Sequence, residues 1–222
     1  MRNIWRPGSV FFHLGLTPYN SHTSLKAPEA MSQIDPKGLA FDIDGVVADT
    51  MSLFLEIARD RFRITGIEKE QITTYMLEDC LNLPQAVIDA VIEELLEMNH
   101  WAPLKPMPGA VQTLSMLNGM GAPLTFVTAR PDSAAIREWL CETIPVAPEN
   151  IRVVATGSFE AKKEILLEAG INWFVEDRLE TCFHLQEAGI NPVVFSQPWN
   201  RRPHPFLEVG SWEELSACIR RP

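Results

Sequence analysis

No Lys/Arg cluster occurs in this 222-residue sequence, and its 19 basic residues are outnumbered by 29 acidic ones, for a formal net charge of −10. Holding a nucleic-acid polymer takes a basic stripe along the phosphates, so that partner class is excluded. A small phosphorylated metabolite is not excluded, because one local positive site suffices for it. No apolar run approaches the length needed to cross a bilayer, so no membrane-spanning helix is expected. The four cysteines, Cys80, Cys141, Cys182 and Cys218, are widely spaced and form no C-x-x-C pair. They read as reduced thiols of a cytoplasmic protein. A cysteine-phosphatase loop requires an arginine six residues after its cysteine, and Ala86, Ala147 and Ala188 stand there instead.

What is present is ordinary in bulk: 46% hydrophobic and 22% charged residues, on a chain long enough for one large or two small domains. Residues 1–30 stand apart. Their only acid is Glu29, their only basic residues are Arg2, Arg6 and Lys26, and Val10-Phe11-Phe12 is too short for a signal-peptide core. Residues 1–35 are therefore expected to be a disordered leader, or the start is placed too early and Met31 is the true one; an organelle-targeting peptide is the weaker alternative.

From residue 36 the punctuation is regular. Gly38–Ile43 reads as a strand apolar on both faces. Residues 51–63 follow as a helix, with Phe54, Ile57, Ala58 and Phe62 on one stripe. Pro84 opens a second helix that carries Val87, Ile88, Val91, Ile92 and Leu95 and ends near Asn99. A proline-rich connector runs from Pro103 to Gly109. Beyond it, helices at 110–118, 132–142, 160–169, 179–188 and 212–219 alternate with strands at 124–127, 151–155, 173–175 and 192–195. Such alternation predicts an α/β fold: a Rossmann-like parallel sheet with helices on both faces. The helical stretch 51–106 interrupts it after the first strand, and so reads as a small inserted cap. The core is then 36–50 plus 107–222. The cap aromatics Phe54, His100 and Trp101 read as core before they read as base-stacking groups.

In open α/β sheets, ligands lie beyond the carboxyl ends of the strands. The first strand ends in Asp42-Ile43-Asp44-Gly45, within FDIDGVVAD. The second ends in Thr128-Ala129-Arg130, and that at 173–175 in Glu176-Asp177-Arg178. The helix after the third strand opens with Ala161-Lys162-Lys163. One such end is a capped turn. Four ends bringing charge to one rim call for chemistry.

In their order, D-x-D-G at Asp42–Gly45, Thr128, Lys162 and the acidic pair Glu176-Asp177 resemble the four motifs of the haloacid dehalogenase (HAD) superfamily of phosphatases. Within it, Thr128-Ala129-Arg130-Pro131, Glu176-Asp177-Arg178, Pro198-Trp199-Asn200 and the small helical cap are similar to the cytosolic type C 5′(3′)-deoxyribonucleotidase family and its bacterial relatives. Trp199 departs from the Tyr usual in that family.

The resemblance implies Mg²⁺-dependent hydrolysis of a small phosphomonoester, for which a (deoxy)nucleoside monophosphate is the candidate. Asp42 would attack phosphorus and form an aspartyl-phosphate. Mg²⁺ would be held by Asp42, the Asp44 backbone carbonyl and Asp177. The Asp44 side chain would act as acid and then base. Thr128 and Lys162 would bind the transferring oxygens. Glu176 and Arg130 stand behind them, Glu176 as an outer ligand or capping acid and Arg130, like Arg178, as a salt-bridge partner first and a substrate-binding group second. Lys163 is the rival to Lys162. Asp44 speaks against a dehalogenase, and neither Lys69 nor Lys105 suits a phosphonatase. D-x-D-G does not separate a phosphatase from a phosphomutase, and a HAD fold kept for binding is the alternative outside enzymes.

Overall fold

A computed structural model describes residues 34–98 and 103–221. The expected leader falls almost wholly outside these residues, as do His100 and Trp101.

Six parallel strands form one sheet in the order β3-β2-β1-β4-β5-β6. They are β1 (Leu39–Phe41), β2 (Leu124–Thr128), β3 (Ile151–Ala155), β4 (Trp173–Glu176), β5 (Asn191–Phe195) and β6 (Leu207–Val209). The chain builds outward from β1 to β3, then returns to β1 and builds the other way. The switch point therefore lies between β1 and β4, where Phe41 faces Val175 across the ladder. β1, β2 and the last three residues of β4 are buried throughout, as strands covered on both faces must be.

Five helices follow the strands: α3 (Ala110–Gly119), α4 (Ala134–Thr143), α5 (Lys162–Glu168), α6 (Leu179–Glu187) and α7 (Trp212–Cys218). Trp212 is fully buried, packs beside Phe41 and Phe195, and donates its indole N–H to the Val46 carbonyl at 2.9 Å. It thereby pins α7 under the loop that follows β1.

Two departures from the sequence reading stand out. β1 is shorter than 38–43, because Gly38 closes a 3-10 turn (Pro36–Gly38) and the chain turns away after Asp42. β6 was not anticipated; it is a three-residue strand beside β5.

Between β1 and β2 the chain makes an excursion of α1 (Thr50–Phe62), two 3-10 turns (Lys69–Gln71 and Leu77–Asp79) and α2 (Gln85–Glu97). Asp49 caps α1, accepting from the Ser52 N–H and hydroxyl. Leu53, Phe54 and Ile57 of α1 are buried, as are Ile88, Val91 and Leu95 of α2. Phe54 is thus core. The excursion leaves and returns through adjacent segments: the Asp49 N–H donates to the Lys105 carbonyl at 2.8 Å and the Met107 N–H to the Val47 carbonyl at 2.7 Å.

Candidate active site

The site is built where β1 and β4 end side by side. After β1 the chain folds into a tight loop, with the N–H groups of Val46, Val47 and Ala48 all reaching the Ile43 carbonyl. Gly45 makes this possible with φ of +76°. It also makes room: a Cβ there would lie 2.1 Å from Asp177 Oδ2.

Asp42 is 3% exposed. Its Oδ1 accepts from the Ile43 N–H at 2.7 Å, and its Oδ2 lies 2.8 Å from Lys162 Nζ. Lys162, at the start of α5, is fully buried and reaches Glu176 Oε2 at 2.9 Å. The other Glu176 oxygen accepts the N–H groups of Asp177 and Arg178 at 3.0 and 3.1 Å. Lys163 points away and pairs with Glu164 on the surface. The lysine turned into the site is therefore Lys162.

Asp177 accepts the Trp199 indole N–H on Oδ2 at 2.9 Å, while its Oδ1 is buried without a hydrogen-bond partner. Ligand oxygens of Asp42, Glu176 and Asp177 lie within 4.8 Å of one another. The Asp44 side chain is not among them. It turns toward Arg130, which donates to Oδ2 through Nε at 2.9 Å and to Oδ1 through Nη2 at 2.7 Å. The Thr50 hydroxyl donates to Oδ1 at 2.8 Å. Thr128, at the end of β2, accepts the Arg130 backbone N–H at 3.2 Å, and its hydroxyl lies 3.5 Å from Asp44 Oδ2.

The charges do not balance within the protein. Four carboxylates, Asp42, Asp44, Glu176 and Asp177, face two cations, Lys162 and Arg130. Burial and the neighbouring Glu176 push the carboxyls of Asp42 and Asp177 well above the usual carboxylate range. Burial also disfavours charge on Asp44, but the Arg130 guanidinium and the Thr50 hydroxyl outweigh it and hold Asp44 low. Lys162 stays charged against burial because Asp42 and Glu176 flank it. An excess of buried negative charge, an all-oxygen donor set and an orphaned oxygen on Asp177 together fit a hard divalent cation.

Three groups in this arrangement were not anticipated. Thr50 holds Asp44, Gln197 donates its side-chain amide to the Gly45 carbonyl at 2.7 Å, and Asn200 donates to the Asp177 and Phe195 carbonyls at 2.8 and 2.9 Å. Of these only Asn200 carried a signal, through the Pro-Trp-Asn segment. Arg178 pairs with Glu180 at 3.8 Å, and its guanidinium also lies 4.2 Å from the Phe159 ring centre and 5.3 Å from that of Tyr75.

A parallel sheet with these groups at its switch point defines a hydrolase of the HAD superfamily that acts on phosphoric monoesters. The fold is shared with solved structures: a HAD-superfamily hydrolase from Ehrlichia chaffeensis (TM-score 0.53, 16% identity, 83% of this chain and 96% of that one), and a haloacid dehalogenase-like hydrolase from Streptococcus pneumoniae (TM-score 0.57, 13% identity, 81% and 96%). The profile of the family described as "5′ nucleotidase, deoxy (pyrimidine), cytosolic type C protein" matches residues 37–221, and the chain belongs to that family. A provisionally named nucleotidase of Bacillus cereus is 23% identical over 186 residues, spanning 82% of this chain and 97% of its own.

Proposed function

We propose that the protein is a cytoplasmic, Mg²⁺-dependent phosphatase of a small phosphomonoester, a (deoxy)nucleoside monophosphate first among them, working through an aspartyl-phosphate on Asp42. The observation that carries this reading is the convergence of Asp42, Glu176 and Asp177 around a buried lysine, with one Asp177 oxygen unpartnered.

Asp42, Asp177 and the Asp44 backbone carbonyl would hold Mg²⁺, with Glu176 behind them. The metal supplies positive charge that lets an anionic nucleophile approach a phosphate dianion. The Asp42 oxygen that does not hold the metal attacks phosphorus as the bond to the leaving oxygen breaks. Asp44, which is held ionised by Arg130 and Thr50 in the empty site and must first take up a proton from water, gives that proton to the leaving oxygen, so the alcohol departs neutral. Water then attacks the phosphorus of the acyl phosphate, Asp44 takes a proton from it, and the Asp42 carboxylate and inorganic phosphate are restored. Thr128 and Lys162 hold the non-bridging oxygens.

Residues 51–106 act as a cap on the core formed by 36–50 and 107–222. A cavity of about 370 Å³ lies against the rim, lined by Thr73, Tyr75 and Met76 of the cap and by Asp177, Arg178 and Trp199 of the core. Its volume suits a small leaving group. The four free thiols fit a reducing compartment.

The test is phosphate release from nucleoside monophosphates, deoxynucleotides and sugar phosphates, with Mg²⁺ and with EDTA. Metal-dependent release is expected, greatest on nucleotides, and Asp42→Asn is expected to abolish it while the variant stays folded. No release from any of these compounds would overturn the reading. Near-native activity in Asp42→Asn would overturn the nucleophile assignment alone.

A further inference from the structure

The proposed proton carrier is clamped. Arg130 grips both oxygens of Asp44 in a two-pronged pair, at 2.7 and 2.9 Å, and Thr50 adds a third donor on Oδ1. A carboxylate held in this way cannot turn an oxygen toward a leaving group. The other cation offers no alternative phosphate anchor of the same freedom, because Lys162 already joins Asp42 to Glu176 and is wholly buried. Arg130 is the cation of the site whose partner is not also the nucleophile.

We propose that Arg130 exchanges partners when substrate enters: its guanidinium leaves Asp44 for the non-bridging oxygens of the phosphoryl group, and Asp44 is thereby released to face the leaving oxygen. This rests on the phosphatase reading above. A phosphoryl group presents the same paired oxygens as a carboxylate, with more negative charge, so it competes for the same fork. Little movement is needed. Arg130 follows Thr128 by two residues, its backbone N–H already donates to the Thr128 hydroxyl at 3.2 Å, and that hydroxyl is expected to bind the same phosphoryl oxygens. Its guanidinium also lies within the field of Asp42, the attacking group. The side chain is 4% exposed, so a departure to solvent would leave a buried charge unpaired, whereas an exchange of anions does not. Thr50 remains on Asp44 Oδ1 throughout, which leaves Oδ2 for the proton transfer. The empty site thus keeps its proton carrier engaged until a phosphoryl group arrives.

Calorimetric titration with inorganic phosphate, in saturating Mg²⁺, reads this exchange without turnover. The proteins are the wild type, Asp44→Asn, Arg130→Ala and the double variant. If Asp44 competes with phosphate for Arg130, Asp44→Asn should bind phosphate roughly tenfold tighter and Arg130→Ala roughly tenfold weaker. In the Arg130→Ala background the gain from Asp44→Asn should vanish. A gain that persists there would be relief of charge repulsion alone, and would overturn the exchange. So would an Arg130→Ala protein that binds phosphate like the wild type. Should Arg130→Ala fail to fold, Arg130→Lys keeps the charge without the fork; wild-type phosphate affinity in that variant overturns the proposal equally. A wild type that binds no phosphate would overturn the phosphoryl site itself, and this inference with it.

Discussion

A methyl group on Gly45 would collide with Asp177 Oδ2 at 2.1 Å and approach the Trp199 ring at 3.2 Å, on a backbone at φ +76°. Gly45 is thus where the ends of β1 and β4 touch. Gly45→Ala is expected to displace Asp177 and to lower Mg²⁺ affinity by roughly 10–100-fold, as disruption of a ligand's support does. The positive φ adds a stability loss of about 1–2 kcal/mol. Magnesium titration and denaturant unfolding check the two parts, and wild-type Mg²⁺ affinity would refute the crowding argument. The charges of the site make a second prediction. Asp42 and Asp177 have carboxyls raised by burial and by Glu176, so the folded protein without metal binds more protons there than the unfolded chain does. Its stability therefore falls as pH rises through those raised values. Asp44 and Glu176 are held low, so the stability they contribute is lost only in acid, below the usual carboxylate range. Mg²⁺ favours the ionised carboxyls and must displace their protons. The rise in Tm on adding Mg²⁺ should accordingly be larger at pH 8 than at pH 6; an equal or smaller rise at pH 8 would show that the acids do not gather around the metal.

At the scale of elements, the strands were legible because burial on both faces leaves a plain apolar run, as in Leu124-Thr125-Phe126-Val127. β6 was not, since Leu207-Glu208-Val209 is three residues long, is only partly buried, and follows an Arg-Arg-Pro-His-Pro stretch that reads as loop. Asp42, Thr128, Glu176 and Asp177 were legible for a related reason: each stands at or just past the end of a strand, and parallel strands place those ends on one rim. Their partners were not. Arg130 reaches Asp44 across 86 residues and Trp199 reaches Asp177 across 22, pairings made by sheet order rather than by local pattern. Adjacent lysines posed the same difficulty. Sequence cannot say which side of α5 faces the sheet, but Phe174 beneath Lys162 and Glu164 beside Lys163 can. The 3-10 turn Pro198–Asn200 was visible in the sequence as a segment but not by its role: it carries both the indole on Asp177 Oδ2 and the amide on the Asp177 carbonyl. Trp199→Phe keeps the ring and removes that donor. The metal-free variant should lose about 1–3 kcal/mol of stability, the cost of a buried acceptor left unmatched. Unfolding curves for the two proteins in EDTA measure it. A change of under a few tenths of a kcal/mol would mean that Asp177 is not held by the indole.

For the whole molecule, the question is what holds the excursion 51–106, proposed above as a cap, against the rest of the fold. The two chain crossings, 47–49 and 105–107, are hydrogen-bonded to each other, and Leu53, Phe54 and Ile57 are buried in one apolar cluster with Phe41 and Trp212. The rest of the seam is side chains. Lys69 pairs with Asp49 at 3.0 Å and sits over the Trp199 ring, while Tyr75 meets Phe159 edge-on at 5.6 Å and closes over the Arg178 guanidinium. Tyr75, Arg178 and Trp199 of these contacts line the 370 Å³ cavity. The contacts are also individually small: an aromatic pair contributes about 0.5–1.5 kcal/mol and a cation–π contact about 0.5–1. Beneath them the apolar side chains of the excursion join the same buried cluster as Phe41 and Trp212, so a change at this edge can loosen it without unfolding the core. Tyr75→Ala removes the Phe159 and Arg178 contacts and should loosen this edge of the excursion. Tyr75 lines the proposed substrate cavity, so KM should rise by roughly tenfold, the factor that about 1.4 kcal/mol supplies. Amide exchange should quicken across residues 69–79 of the cap and stay unchanged in β1, β2 and β4, which separates a loosened seam from a loosened fold. If KM and exchange both remain at wild-type values, Tyr75 does not hold this edge of the excursion down.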